Sequence, residues 1–443
     1  MAAIALPVSS RGGTVHVPAE QPTIQAAIDA AHAGDTVLVA PGESVITKPI
    51  NFRGKAIVVR SEKGPDATSV RMGEISKDAE ANCVAVFNGG ETAEARLEGF
   101  TLTGGDWGSQ LPGGGIYCSD SSPTLMNLTI SGNQASSGGG LSCHRGSSPL
   151  VLDCRIIGNR AVFIGGGGVF CGEGSSPTLL RCVIAGNYGR HEGGGVFCEG
   201  SSPSLVNCLI VENEAKDYGG GIHCESGSSP RLMNCTLEKN RSVGGEDGIV
   251  CLGSSLVVTN SIVTSVFADE TSSPAISYTL LRLRAAFPGQ GNLFGLPLFA
   301  CDGDYHLRPD SPAVDAGIAD GAPASDLDNR ERPCGGRIDL GAYEHCLGTT
   351  APVCFLRGNA DADGSFDISD AITILGFLFL GGEEPACLDS ADANDDGRID
   401  LTDGVSVLGQ LFLDDPSSPP PFERCGTDPT PDSLSCDWFG MCL

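Results

Sequence analysis

Residues 113 to 265 repeat one pattern six times, and that repeat leaves few folds open to the chain. Each copy begins with glycines, an apolar residue, a spacer and a cysteine: Gly113 to Cys118, Gly138 to Cys143, Gly166 to Cys171, Gly193 to Cys198 and Gly219 to Cys224. A shortened sixth copy runs from Gly248 to Cys251. Ser-Ser-Pro follows (Pro123, Pro149, Pro177, Pro203, Pro230), then a second apolar run ending near Asn133, Asn159, Asn187, Asn213 and Asn240. Successive leading cysteines are 25, 28, 27, 26 and 27 residues apart. A unit of that length is one supersecondary element that buries its apolar face only by stacking on its neighbours.

Within a unit the apolar residues alternate. Ile116 and Cys118 flank Tyr117; Met126, Leu128 and Ile130 flank Asn127 and Thr129. Period two, interrupted by Gly, Ser-Ser-Pro and Gly-Asn, predicts short strands joined by turns, with no segment long enough for a helix. Strands stacked in register make a parallel β-helix. The register predicts inward columns of Ile116, Leu141, Val169, Val196, Ile222 and Ile249, then the six leading cysteines, then Leu128, Cys154, Cys182, Cys208, Cys235 and Ser261. Leu128 and Ser261 interrupt the second cysteine column, so these thiols are expected as buried core residues and not as disulfides within each turn. Between the inward columns lies a row of Tyr117, Ser142, Phe170, Phe197, His223 and Val250, expected to face outward. Its rings Tyr117, Phe170, Phe197 and His223 are candidates for stacking on sugars, the alternative being a ladder that only stabilises stacked strands.

The glycine–apolar–cysteine and Ser-Ser-Pro repeats resemble the right-handed parallel β-helix proteins of the pectin-lyase-like superfamily. The opening of the chain is similar to that family too: strand Thr14 to Val17, a short amphipathic segment from Pro22 to Ala31 that predicts a capping helix, and strand Asp35 to Gly42. The expected fold is therefore mainly β: a solenoid over 14–346, with an N-terminal cap over 14–55, regular repeats over 113–265 and a C-terminal cap over 266–346. Lyases of that superfamily use calcium with an Arg or Lys base, and its hydrolases use Asp clusters. Neither arrangement is visible in the repeats. The polar residues best placed to meet are Arg190-His191-Glu192 and Lys216-Asp217-Tyr218, at matching positions in successive turns about 5 Å apart. His191 with Asp217 could form an acid–base pair, against the plainer reading of solvated turn residues. Asp106, Trp107, His144 and Arg145 are weaker candidates.

A second pattern lies beyond a linker at 347–355. Asn359, Asp361, Asp363, Ser365, Asp367 and Asp370 occupy positions 1, 3, 5, 7, 9 and 12 of a calcium loop, with Gly364 at position 6. Asp392, Asn394, Asp396, Arg398, Asp400 and Asp403 repeat it 33 residues later, with Gly397 at position 6. Calcium takes six to eight oxygens, the residue at position 7 giving its carbonyl and the glycine making the sharp turn. Two calcium ions are expected. Each loop leads into a helical apolar pattern, Ile372, Leu375 and Phe379 or Val405, Leu408 and Phe412. Duplicated loop–helix units of this kind resemble dockerin type I domains, which implies a dockerin-like module over 356–415 and a cohesin-like or cell-envelope protein as partner. Dockerins commonly carry polar recognition residues at loop positions 10 and 11; here these are Ile368-Ser369 and Leu401-Thr402. A Pro/Cys-rich tail over 416–443 completes the chain, and some of Cys354, Cys387, Cys425, Cys436 and Cys442 are expected to pair, with the connectivity open.

Net charge is −28, which argues against nucleic acid or an anionic membrane as partner. No apolar run is long enough for a transmembrane helix. Residues 1–13 resemble the end of a secretory signal, so the protein is expected to be secreted or displayed at the cell surface. These features predict an exported, non-catalytic protein that binds carbohydrate or a cell surface and docks through its calcium module. The alternatives are a polysaccharide lyase or glycoside hydrolase on the same scaffold, and a structural surface protein that assembles through the solenoid.

Overall fold

The computed structural model describes residues 12–73, 83–106, 112–282, 287, 289–301, 303–346, 354–413, 415, 416, 418–422, 424–428, 430, 434, 436 and 442. The signal-like segment up to residue 11, Trp107 and most of the expected linker lie outside them. The described residues form two compact units, 1–296 with 313–344, and 297–312 with 345–443.

The first unit is a solenoid of parallel strands. One turn runs through Ile116–Ser119, Thr124–Met126, Thr129–Ser131 and Gln134–Ala135, and the next turn pairs with it residue for residue. Three long sheets of 11, 9 and 11 strands result, with a fourth of five short strands at the corner before the glycines. Left-handed residues bend each turn at its corners. Asn127, Asp153, Arg181, Asn207, Asn234 and Asn260 have φ near +50° between the second and third strands, and Gly132, Gly158 and Gly186 do the same after the third. Asparagine, aspartate and glycine tolerate that region best, which is why they recur there. The inward columns are buried as the register predicts, and all eleven cysteines from Cys83 to Cys251 are free and buried.

Helix α1, Ile24–Ala30, is capped by Thr23 and packs Ile24, Ala27 and Ile28 into the same core. It lies where the sequence places the N-terminal cap. The other end departs from expectation. Residues 297–312 cluster with the second unit, and 313–344 add no further turns. Instead they run along the solenoid's corner, where Asn234 and Asn260 donate to the carbonyls of Asp339 and Ile318. Left-handed corner residues point their amides outward, and this strap satisfies them. A buried ion pair, Arg332 to Glu344 at 2.7 Å, holds the strap's own fold.

The second unit is helical where the loops predict it. Helices α2 (Ile368–Leu380), α3 (Leu388–Ala391) and α4 (Leu401–Phe412) pack around Ala371, Ile374, Ala391, Ala393 and Val407. Disulfides Cys301–Cys354, Cys387–Cys436 and Cys425–Cys442 tie this unit; Cys301 is a partner the spacing did not suggest. Among the described residues no helix is long and apolar enough to cross a membrane.

Candidate functional site

The expected sugar-stacking row is not a surface. Phe170, Phe197 and His223 are 3%, 2% and 1% exposed, and Tyr117 is half-buried. The cause is the glycine triplet. Its first glycine turns back over the strand, so closely that a Cβ on Gly193 would stand 2.8 Å from Phe197 Cβ and one on Gly113 would stand 2.8 Å from Tyr117 Cβ. The rings form an internal ladder, with centroids 5.6 Å apart for Phe170–Phe197 and 5.3 Å for Phe197–His223. Phe170, Phe197 and His223 are therefore closed to a polysaccharide. Burial also lowers the basicity of His223, to a pKa of about 4. His144 extends the ladder between Tyr117 and Phe170, while Arg145 stays exposed near Asp120 and Glu173. Asp106 lies apart and accepts a hydrogen bond from Gln134.

The turns before the glycines do form a ledge. Three main-chain bonds stack them: His191 N–H to Ile164 O at 3.1 Å, Asp217 N–H to His191 O at 2.9 Å and Gly244 N–H to Asp217 O at 2.8 Å. This register brings His191 Nδ1 to 2.7 Å from Asp217 Oδ2, the pairing that the spacing suggested. Arg190 stays exposed and does not join the pair. The outward-facing rings are Phe163 and Tyr218, 60% and 44% exposed, on the turns either side of His191. Sequence reading passed over Phe163 because Ala161-Val-Phe-Ile164 reads as another apolar core run.

Carboxylates crowd the same region. Burial raises the pKa of Glu192, with the Glu225 and Asp217 charges adding to the effect and His191 opposing it. Burial raises Glu225 also, assisted by Glu199. His223 Nε2 lies 3.4 Å from Glu225 Oε2, and neither ring nitrogen of His223 makes a hydrogen bond. Such a group of desolvated acids can exchange protons or receive a cation. Glu192 belongs to the polar turn that the sequence marks, whereas Glu199 and Glu225 escape a sequence reading because each simply follows an apolar strand.

In the second unit the two loops share one hydrogen-bond scheme. Asp370 accepts from the N–H groups of Asp361 and Asp367, and Asp403 accepts from those of Asn394 and Asp400. Asp361 and Asp363 each accept from the N–H two residues on, as do Asn394 and Asp396. Asp367 and Asp400 cap α2 and α4. Burial is the chief cause that pushes Asp370 and Asp403 up, to pKa values of about 6 and about 7. Asp392 is raised by burial as well. Asn359 is buried with both amide atoms unpartnered, and a cation held at position 1 would satisfy its Oδ1. Among the described residues no three His, Cys, Asp or Glu side chains converge on one point as a metal would require. The expected donor set is broader than those side chains, drawing also on the Asn359 and Asn394 amides and the Ser365 and Arg398 carbonyls. The donors present thus fit calcium in type and spacing.

Phe366 and Ile399 pack against the small core. Leu408 joins them and Leu375 is half-buried, but the rest of each stripe does not: Ile368, Ile372 and Phe379 are exposed on α2, and Leu401, Val405 and Phe412 on α4. Each trio repeats the other at a 33-residue offset. The buried face is instead Ala371, Ile374 and Leu378, against Val407 and Leu411.

Residues 64–237 match the protein family described as right handed beta helix region. Among solved structures, the crystal structure of pectate lyase Pel9A is similar, with a TM-score of 0.51 at 14% sequence identity, covering 73% of this chain and 91% of that one. No curated protein matches. The first unit has the right-handed parallel β-helix fold.

Proposed function

We propose that this is an exported, non-catalytic β-helix protein that binds a carbohydrate or cell-surface polymer along its ledge and docks on a second protein through a calcium-loaded C-terminal module. One observation carries the docking half: the loop, its hydrogen bonds and its exposed apolar trio all recur at the same offset of 33 residues. A fold needs no exposed apolar trio, let alone two; such patches mark contact surfaces. Asn359, Asp361, Asp363, Asp367 and Asp370 would hold one ion, and Asp392, Asn394, Asp396, Asp400 and Asp403 the other, with the Ser365 and Arg398 carbonyls. Bound calcium would supply the positive charge that these buried acids lack. A cohesin-like or cell-envelope protein is the partner class. Disulfides in the same unit accord with export.

Calorimetric titration of the full chain with calcium tests this. Uptake of two ions, reduced to one by Asp370→Asn and to none with Asp403→Asn added, is the expected result; absence of uptake would refute the module.

The His191–Asp217 contact and the raised Glu192 and Glu225 favour a second reading, a lyase or hydrolase acting on the ledge. Incubation with polysaccharides, followed by ultraviolet absorbance for elimination products and a reducing-end assay, separates the two. Turnover abolished by His191→Ala would replace the non-catalytic reading.

A further inference from the structure

We propose that the ledge binds a glycan bearing free amino groups, held by Glu192, Glu199, Glu225 and Glu246 beside the rings of Phe163 and Tyr218. This rests on the carbohydrate-binding reading above and adds the charge of the ligand. Glu192 and Glu246 come from the stacked turns, since the N–H groups of Gly166 and Gly219 bond to their carbonyls; Glu199 and Glu225 end the adjoining strands Val196–Glu199 and Ile222–Glu225. Among the described residues none of the four forms an ion pair with a lysine or arginine. Arg190 and Lys216 occupy the same turns but remain exposed. One oxygen of Glu246 is buried with no hydrogen bond.

His223, itself closed to a glycan, points to a ligand through its neighbour Glu225. It is 1% exposed, lacks any hydrogen bond and sets Nε2 3.4 Å from Glu225 Oε2. A buried polar group left unpaired is costly. Here it leaves the neighbouring carboxylate without compensation on the protein side, so a cation arriving from outside completes the charge balance. A metal ion suits the place poorly, because no three acidic or imidazole side chains among the described residues converge there. An ammonium needs no such convergence; its three donors can reach separate carboxylates. Phe163 and Tyr218 sit on turns two apart, about 10 Å by strand spacing, and their exposed faces can carry a sugar ring or its ammonium. Uronate polymers meet four like charges and are rejected.

Binding of the calcium-supplemented full chain to four probes, in mildly acidic buffer that protonates sugar amines, decides the matter. The probes are a glucosamine hexamer, its N-acetylated counterpart, a galacturonate hexamer and hexalysine. The glucosamine hexamer should bind at least about tenfold tighter than the acetylated form, and Glu192→Gln with Glu225→Gln should remove that margin. A thermal unfolding curve of the double variant that matches the wild type shows that it folds. Equal affinity for the two glycans overturns the amine proposal and leaves carbohydrate binding standing. Hexalysine binding as tightly as the glucosamine hexamer overturns the glycan assignment. Binding of none of them overturns both this proposal and the carbohydrate reading.

Discussion

At the scale of single residues, two buried ionisable groups lead to predictions. His223 titrates near 6.5 when unfolded and near 4 in its aromatic ladder, because burial disfavours the charged ring. The folded chain therefore binds fewer protons than the unfolded one between those values. Stability is full above about pH 6.5 and falls as pH drops toward about 4, by on the order of 3 kcal/mol. Chemical denaturation of the wild type and His223→Phe across that window should show the loss in the wild type alone. Arg357 is the second group. Its guanidinium lies beneath the second loop, donating to the carbonyls of Asp389 and Asp392 and to Asp428, with Asp395 2.9 Å away. Arg357→Met leaves those carboxylates without their cation and should cost the C-terminal unit about 3–5 kcal/mol, read as a lowered melting temperature of that unit. The Asn359–Asp370 loop was legible by spacing alone; Arg357, which supports the other loop, was not, because its partners are 32 to 71 residues away.

At the scale of elements, the repeat gave away the strands, the cysteine columns and the His191–Asp217 meeting, since in-register stacking turns sequence offset directly into distance. It misled on exposure. Period two says which residues alternate, and it takes Phe170 and Phe197 to solvent; whether a neighbouring segment then folds over them depends on the glycine turn. The asparagines that close each turn were visible only as turn residues, yet they form a buried chain of side-chain hydrogen bonds. Asn187 Nδ2 donates to Ile156 O and Asn213 Oδ1, and its Oδ1 accepts from both nitrogens of Asn159. Asn187→Leu keeps the volume, removes four bonds and orphans the Asn159 N–H, for a cost of about 2–4 kcal/mol. Asn240→Leu should cost less, because Asn240 ends the side-chain ladder and donates only to Ile210 O. Equilibrium unfolding of the two variants checks that order, and equal losses would argue against a cooperative ladder.

For the whole molecule, the cysteines and the charge both set the repeats apart from the C-terminal part of the chain. All eleven free thiols lie at or before Cys251 and are buried; the eight disulfide-bonded cysteines all lie at or after Cys301. Residues 352–443 hold 3 Lys and Arg against 18 Asp and Glu, a net −15, whereas the solenoid draws its stability from stacked apolar columns that carry no charge. The two units therefore depend on different conditions. Chelation of calcium should lower the thermal transition of the C-terminal unit, where self-repulsion among the loop acids is no longer offset. The solenoid's transition should stay in place, since burial of its columns owes nothing to a cation. Thiol titration without reductant supplies the matching readout: no reactive thiol in the native chain with or without chelator, and eleven once the solenoid itself unfolds. Appearance of thiols on chelation alone would mean that the solenoid leans on the calcium module for its fold, and the division of labour between the two units would have to be abandoned.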